Sequence, residues 1–242
     1  MAVPRTRILD VDTPVGPARL SAYRATRARA LVVLGHGAGR GVDTPDLLGL
    51  ARDLPGEGVA VVLVDQPWVL AGRKVAAAPA QLDLAWVAAL RHARRAGGVT
   101  RAVPLVVGGR SAGARVACRT ALQVGADGVL LLAFPLLPPA ARHDRTKRAT
   151  ASAARSAELG VPWSAGLPLV VAQGDRDVFG TAAQVAHALP FTGADGVPLT
   201  RSSAALYPVA AADHSLVVGR AGPDPAPRLL EAALAAVGLV GG

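Results

Sequence analysis

The chain has 242 residues and a mass of 24.4 kDa, with 51% hydrophobic and 18% charged residues. It can therefore bury a sizeable core, and its formal charge of +9 does not make it a disordered polycation. Cys118 is the lone cysteine, which excludes an intrachain disulfide framework and a multi-cysteine zinc site. Lys74 and Lys147 are the only lysines, and the arginines run from Arg5 to Arg228 without gathering at one place. With three Trp, two Tyr and three Phe, stacking platforms are scarce, so no nucleic-acid partner is expected.

The N-terminal stretch from Met1 to Leu20 carries Arg5, Arg7, Asp10 and Asp12 and has no continuous apolar centre, unlike a secretory leader. Arg5 to Tyr23 reads as a two-stranded antiparallel opening with turn residues at Thr13-Pro14-Val15-Gly16. Ala30 to Leu34 is the next strand, apolar on both faces, and ends in Gly35-His36-Gly37-Ala38-Gly39. Val59 to Val64 is another, ending at Asp65-Gln66-Pro67. Gln81 to Arg95 has helical spacing, with Leu82, Trp86, Ala89, Leu90 and Ala93 on one face.

Val103 to Val107 is a further strand, followed by an alanine-rich helix over Ala112 to Val124. Gly128 to Phe134 and Leu167 to Ala172 are strands of the same buried kind. Between them, Pro135 to Leu159 breaks the rhythm with three prolines and a run of charges that includes Arg142, His143, Asp144, Arg145, Lys147, Arg148 and Arg155. It reads as an excursion, part helical, serving either as a solvated charged face or as a lid for an anionic substrate group. The longest apolar run, Gly128 to Ala141, is too short to span a membrane and contains Pro135, Pro138 and Pro139. A cytoplasmic protein with no membrane partner is expected. Thr181 to Leu189 and Pro225 to Val237 are helices, with a short strand at Ala204 to Val209. Repeated βα units of this kind predict one α/β domain over 1–242, a mostly parallel sheet with helices on both faces, and a short cap or lid excursion at 135–160.

Chemistry concentrates at the ends of these strands. Gly109-Arg110-Ser111-Ala112-Gly113 follows a strand and opens a helix, the setting of a nucleophile elbow. A serine at the apex of so sharp a turn needs small neighbours, and the helix N-terminus aims N–H groups at developing negative charge. A base and an orienting acid follow in the order expected: Asp177, preferred over Asp175, in Gln173 to Gly180, and His214 in Ala212-Asp213-His214-Ser215. His36-Gly37-Ala38-Gly39 resembles turns that form an oxyanion hole, so the N–H groups of Ala38 and Ala112 are its expected donors. A dinucleotide fingerprint fails at Arg40, where a third glycine would be needed, and a P-loop fails at Ala114. No side-chain cluster suits a metal, and no cofactor is expected. His92, His143 and His187 read as structural, and Cys118 as a small core residue.

Taken together, Leu34 to Gly39, Gly108 to Ala117, Phe134-Pro135-Leu136, Gln173 to Gly180 and Asp213 to Leu216 resemble the α/β-hydrolase superfamily. The resemblance is to small bacterial α/β-hydrolase-like proteins related to the testis-expressed and NSL-complex subunit proteins, near the dienelactone hydrolases. It implies Ser111 as nucleophile, Asp177 as acid and His214 as base. After Phe134-Pro135-Leu136 this chain has Leu137-Pro138-Pro139, where the family often has a histidine before the two prolines. The expected activity is a serine hydrolase acting on a carboxylic ester or similar small acyl compound. The alternative is a catalytically idle domain of the same fold serving as an interaction module.

Overall fold

A computed structural model describes residues 6–137, 145–188, 204–219 and 222–241. Thr6–Thr13 (β1) and Gly16–Tyr23 (β2) form the expected antiparallel hairpin, with Thr13 opposite Gly16. Thr13 closes the turn, its Oγ1 donating to Gly16 O at 2.5 Å and accepting from Val15 N at 3.3 Å. Ala30–Gly35 (β3), Val59–Asp65 (β4), Leu105–Arg110 (β5), Gly128–Leu132 (β6), Leu169–Gly174 (β7) and Ala204–Val209 (β8) complete one sheet. Its order is β1-β2-β4-β3-β5-β6-β7-β8. β2 pairs antiparallel with β4, and every pairing from β4 to β8 is parallel.

Helices cover both faces, as two-sided apolar strands require. Pro79–Gly97 (α3) and Ala112–Thr120 (α4) lie on one side, where Trp86 and Ala117 join Leu31, Val33, Val107 and Leu131. On the other side Pro45–Asp53 (α1) and Ala226–Val240 (α7) bring Leu47, Leu50, Leu229 and Ala233 against Val32, Leu34, Val61 and Leu130. Alternate residues of one strand thus feed two separate cores. A 3₁₀ turn at Leu54–Glu57 follows α1, and Pro67–Leu70 (α2) follows β4.

The excursion contains a long helix, Arg145–Ser164 (α5). Residues 138–144, with Arg142, His143 and Asp144, lie outside the described residues, as do the side chains of Arg145, Lys147 and Arg148. At its described C-terminal half the helix is not the solvated charged face weighed above. Glu158 receives Arg115 in two bonds of 2.6 Å and Arg119 at 3.2 Å, while Arg119 also grips Asp83 at 2.6 Å. Leu159 is fully buried beneath this network, and Arg155 donates to Pro135 O at 3.1 Å. Desolvation, with Arg115 and Arg119 close by, holds the Arg155 guanidinium down at about 10. The helix is thereby docked on α4, which Arg119 in turn ties to α3. Among the described residues no helix is long and apolar enough to cross a membrane.

Candidate active site

Ser111 sits between β5 and α4 with φ 53 and ψ −110, on the side of backbone space that non-glycine residues avoid. Its neighbours explain why the chain can hold that turn. A methyl group on Gly109 would stand 2.5 Å from Gly35 O, and one on Gly113 would stand 2.6 Å from the same oxygen. Only glycines at both positions let the elbow press against the end of β3. The turn is pinned by Ser111 N–H donating to Leu132 O at 3.0 Å and by Arg115 N–H donating to Ser111 O at 3.2 Å.

The loops after β7 and β8 bring Asp177 and His214 to this serine. His214 Nε2 lies 2.9 Å from Ser111 Oγ, and His214 Nδ1 lies 2.8 Å from Asp177 Oδ2. A carboxylate only accepts, so Nδ1 carries the proton and Nε2 is left to accept from the serine hydroxyl. Phe179 packs edge-on against the imidazole, with ring centroids 4.5 Å apart. The Asp177 side chain is fully buried and that of His214 is one-fifth exposed. Asp175, two residues earlier, faces solvent.

Asp177 is itself fixed on both oxygens. Oδ1 accepts from Phe179 N at 2.8 Å, and Oδ2 also accepts from Gln173 Nε2 at 2.9 Å. Gln173 has no exposure and bonds Phe134 N at 2.7 Å, Phe134 O at 3.3 Å and Gly180 O at 2.6 Å. It ties the acid loop to the end of β6. In the sequence Gln173 marks only the start of this loop, with no task for its side chain. Its signal was a lone amide at the end of an otherwise apolar strand.

The turn His36 to Gly39 lies against the nucleophile, since a methyl on Gly37 would come within 3.4 Å of Ser111 Cβ. The exposed Ala38 N–H and the N–H of Ala112, first residue of α4, donate to no other described group. Both expected oxyanion donors thus stand on backbone that flanks Ser111. The turn is held from β4: Val42 N–H donates to Asp65 Oδ1 at 2.9 Å, and Gln66 N–H donates to His36 Nε2 at 3.0 Å. His36 Nδ1 donates to Gly37 O at 2.8 Å, and its ring packs on Trp68 at 5.3 Å.

Burial chiefly holds the His36 imidazole below its ordinary value of 6.5. The unfolded chain then takes up this proton first as pH falls. Stability is full above about pH 6.5 and declines from there toward the lowered folded-state value. Urea unfolding between pH 8 and 5 should show this loss in the native chain. It should be smaller in His36→Gln, which lacks the titrating ring; parallel curves would refute the assignment.

The remaining sequence candidates fall outside the site. Cys118 is fully buried in α4, and burial pushes its thiol well up, so it supplies no thiolate. His92 stands 3.5 Å from Arg95 on α3. His187 bonds Ala183 O at 2.6 Å, just past the short helix Ala182–Ala186 (α6). Leu136 and Leu137 from the β6 loop, Ser152 from α5 and His187 help line a cavity of about 540 Å³, which the Leu137 N–H bond to Phe179 O at 2.8 Å links to the acid loop.

A family model for the alpha/beta hydrolase domain matches residues 28–238. The chain belongs to this family. No curated protein matches the hydrolase chain. Among solved structures, Est1E from Butyrivibrio proteoclasticus with ferulic acid bound is similar at 12% identity and a TM-score of 0.67, covering 95% of this chain and 99% of its own. A dienelactone hydrolase from Anabaena variabilis matches at 14% identity and a TM-score of 0.65, covering 96% of each chain. A serine hydrolase without a lid from Xanthomonas campestris matches at 16% identity and 0.59, covering 88% of this chain and 87% of its own. At these identities the likeness establishes the α/β-hydrolase fold: a mixed, mostly parallel eight-stranded sheet with helices.

Proposed function

We propose that this α/β hydrolase is a serine esterase acting on a small carboxylic ester or related acyl compound, with Ser111 as nucleophile, His214 as base and Asp177 as the orienting acid. The unbroken chain of hydrogen bonds from Ser111 through His214 to Asp177 is the observation that carries this reading. His214 Nε2 takes the hydroxyl proton while Ser111 Oγ bonds to the substrate carbonyl carbon. The carbonyl electrons move onto oxygen, where the N–H groups of Ala38 and Ala112 receive the negative charge. Collapse of this adduct breaks the ester C–O bond, and His214 returns its proton to the departing alkoxide. Water, deprotonated by the same imidazole, then releases the acid and restores the serine hydroxyl. Asp177 keeps Nδ1 protonated throughout and stabilises the imidazolium in between.

The finer resemblance, to small bacterial relatives near the dienelactone hydrolases, fits an acyl substrate of modest size. The apolar walls supplied by Leu136 and Leu137 suit a hydrocarbon portion of it. We take the excursion at 135–160, of which 138–144 lie outside the described residues, as a short cap within one domain. The experiment is reaction with a fluorophosphonate probe and with a short p-nitrophenyl ester. Labelling and turnover that both vanish in Ser111→Ala support the reading. A native chain that neither labels nor turns over would overturn it and favour an interaction module.

A further inference from the structure

The residue inside the elbow motif, Arg110, has no part in the mechanism just described, yet its guanidinium is buried at the centre of the site. Its side chain is 12% exposed and lies against Asp46 of α1, whose side chain is 1% exposed, with Nε 3.1 Å from Oδ2. Nη2 donates to the backbone carbonyl of His214 at 3.1 Å. Nη1 lies 3.5 Å from where a methyl on Gly37 would stand, beneath the turn that carries Ala38. One planar group therefore bonds the His214 loop and lies within reach of a side chain built on Gly37, while its own backbone leads into Ser111. Neither oxygen of Asp46 has a hydrogen-bond partner among the described residues, and the ion pair itself is not aligned as one. A buried carboxylate so poorly provided for is tolerated because it fixes the one cation beside it.

We infer that Arg110 is a positioning residue: braced by Asp46, it holds the His214 backbone and the oxyanion turn in register with Ser111. This rests on the esterase reading above for its effect on rate. A lysine cannot replace it, because an ammonium lacks the planar fork that bonds the His214 carbonyl while facing a carboxylate. Nor is the pair an aid to folding that happens to lie nearby. A buried ion pair replaced on both sides by uncharged groups is often no less stable, whereas removal of one partner leaves a buried charge. The two roles therefore separate in a double variant.

The test compares the native chain with Arg110→Met, Asp46→Asn and the double variant. Arg110→Met alone should lower Tm by roughly 10 °C, and the double variant should recover most of that. In the recovered double variant, kcat for a p-nitrophenyl ester and the rate of fluorophosphonate labelling should remain down by about 10²-fold, with KM little changed, because His214 is no longer held. The imidazole N–H resonance of His214, followed by NMR, should shift in the same variant whether or not the chain turns over ester. Native labelling rates and an unmoved His214 resonance in the folded double variant would overturn the inference and leave the esterase reading intact. A native chain without Ser111-dependent labelling would sink the esterase reading, and the NMR comparison would still decide the role of Arg110.

Discussion

Replacing Ser111 by Ala should lower kcat/KM toward a short ester by about 10⁶-fold, with His214→Ala close behind and the double variant no worse than either. The reason is that the two side chains act as one unit. Ser111 Oγ is a poor nucleophile until His214 Nε2, 2.9 Å away, removes its proton. Without the hydroxyl the imidazole has nothing to activate, and without the imidazole the hydroxyl stays protonated. What survives is the contribution of the backbone N–H groups and of substrate binding, which neither substitution touches. Folding should be nearly unaffected by Ser111→Ala. The change removes one oxygen, and the strained backbone at φ 53 is held by Gly109, Gly113 and the bond to Leu132 rather than by the side chain. Steady-state kinetics on the three variants, with thermal melts alongside, checks this. Losses that multiply in the double variant would mean two independent contributions and would refute the proposed relay.

The sheet was legible in the sequence because its strands are apolar on both faces and end in glycine or polar turns, as at Gly35-His36-Gly37 and Asp65-Gln66-Pro67. Boundaries differ by two or three residues where the backbone ladder continues past the apolar run. β5 extends to Arg110 and β7 to Gly174 because their N–H and C=O groups still pair with β6 and β8. Helix α1 escaped the reading: Pro45 and Gly49 weaken its pattern, and its nine residues are held by Leu47 and Leu50 against the sheet. Ser111, Asp177 and His214 stand out in the sequence because each follows a strand in a recognised order, and the structure brings the three within hydrogen-bond distance.

The supporting residues were harder to see, and for a physical reason. Arg110 and Asp46 act through partners that are remote in the chain, 104 residues away for Arg110 and the His214 carbonyl, and Gln173 reaches Phe134 across 39 residues. No local spacing encodes such a contact. The excess of arginine gave no clue either. One arginine is sealed in the site, two bind Glu158 with Arg155 close by on Pro135 O, and others such as Arg19 and Arg52 make exposed pairs. Burial, which composition does not report, separates these classes.

Asp177→Asn should cost about 10⁴-fold in kcat while leaving the fold standing. The carboxylate accepts from three donors: Phe179 N at Oδ1, and Gln173 Nε2 and His214 Nδ1 at Oδ2. An asparagine has one oxygen and one NH₂ for these places. With the amide oxygen toward Phe179, its NH₂ faces His214 and donates to Nδ1. The imidazole proton then moves to Nε2, where it meets Ser111 instead of accepting from it, and the base is lost. With the amide reversed, the NH₂ confronts the Phe179 N–H and the acid loop loses its anchor. Gln173→Leu provides the contrast. It leaves the carboxylate in place but strips partners from Phe134 N and Gly180 O, both in a buried setting, while Phe134 O keeps the Leu136 N–H. At about 1–3 kcal/mol for each unsatisfied buried group, it should destabilise the protein by several kcal/mol. Asp177 is thus expected to control the protonation of His214, and Gln173 the placement of Asp177. Denaturant melts and pH–rate profiles on both variants separate the two. An Asp177→Asn chain retaining activity within tenfold of native would refute the acid's assignment, and a Gln173→Leu chain of native stability would refute the anchor's.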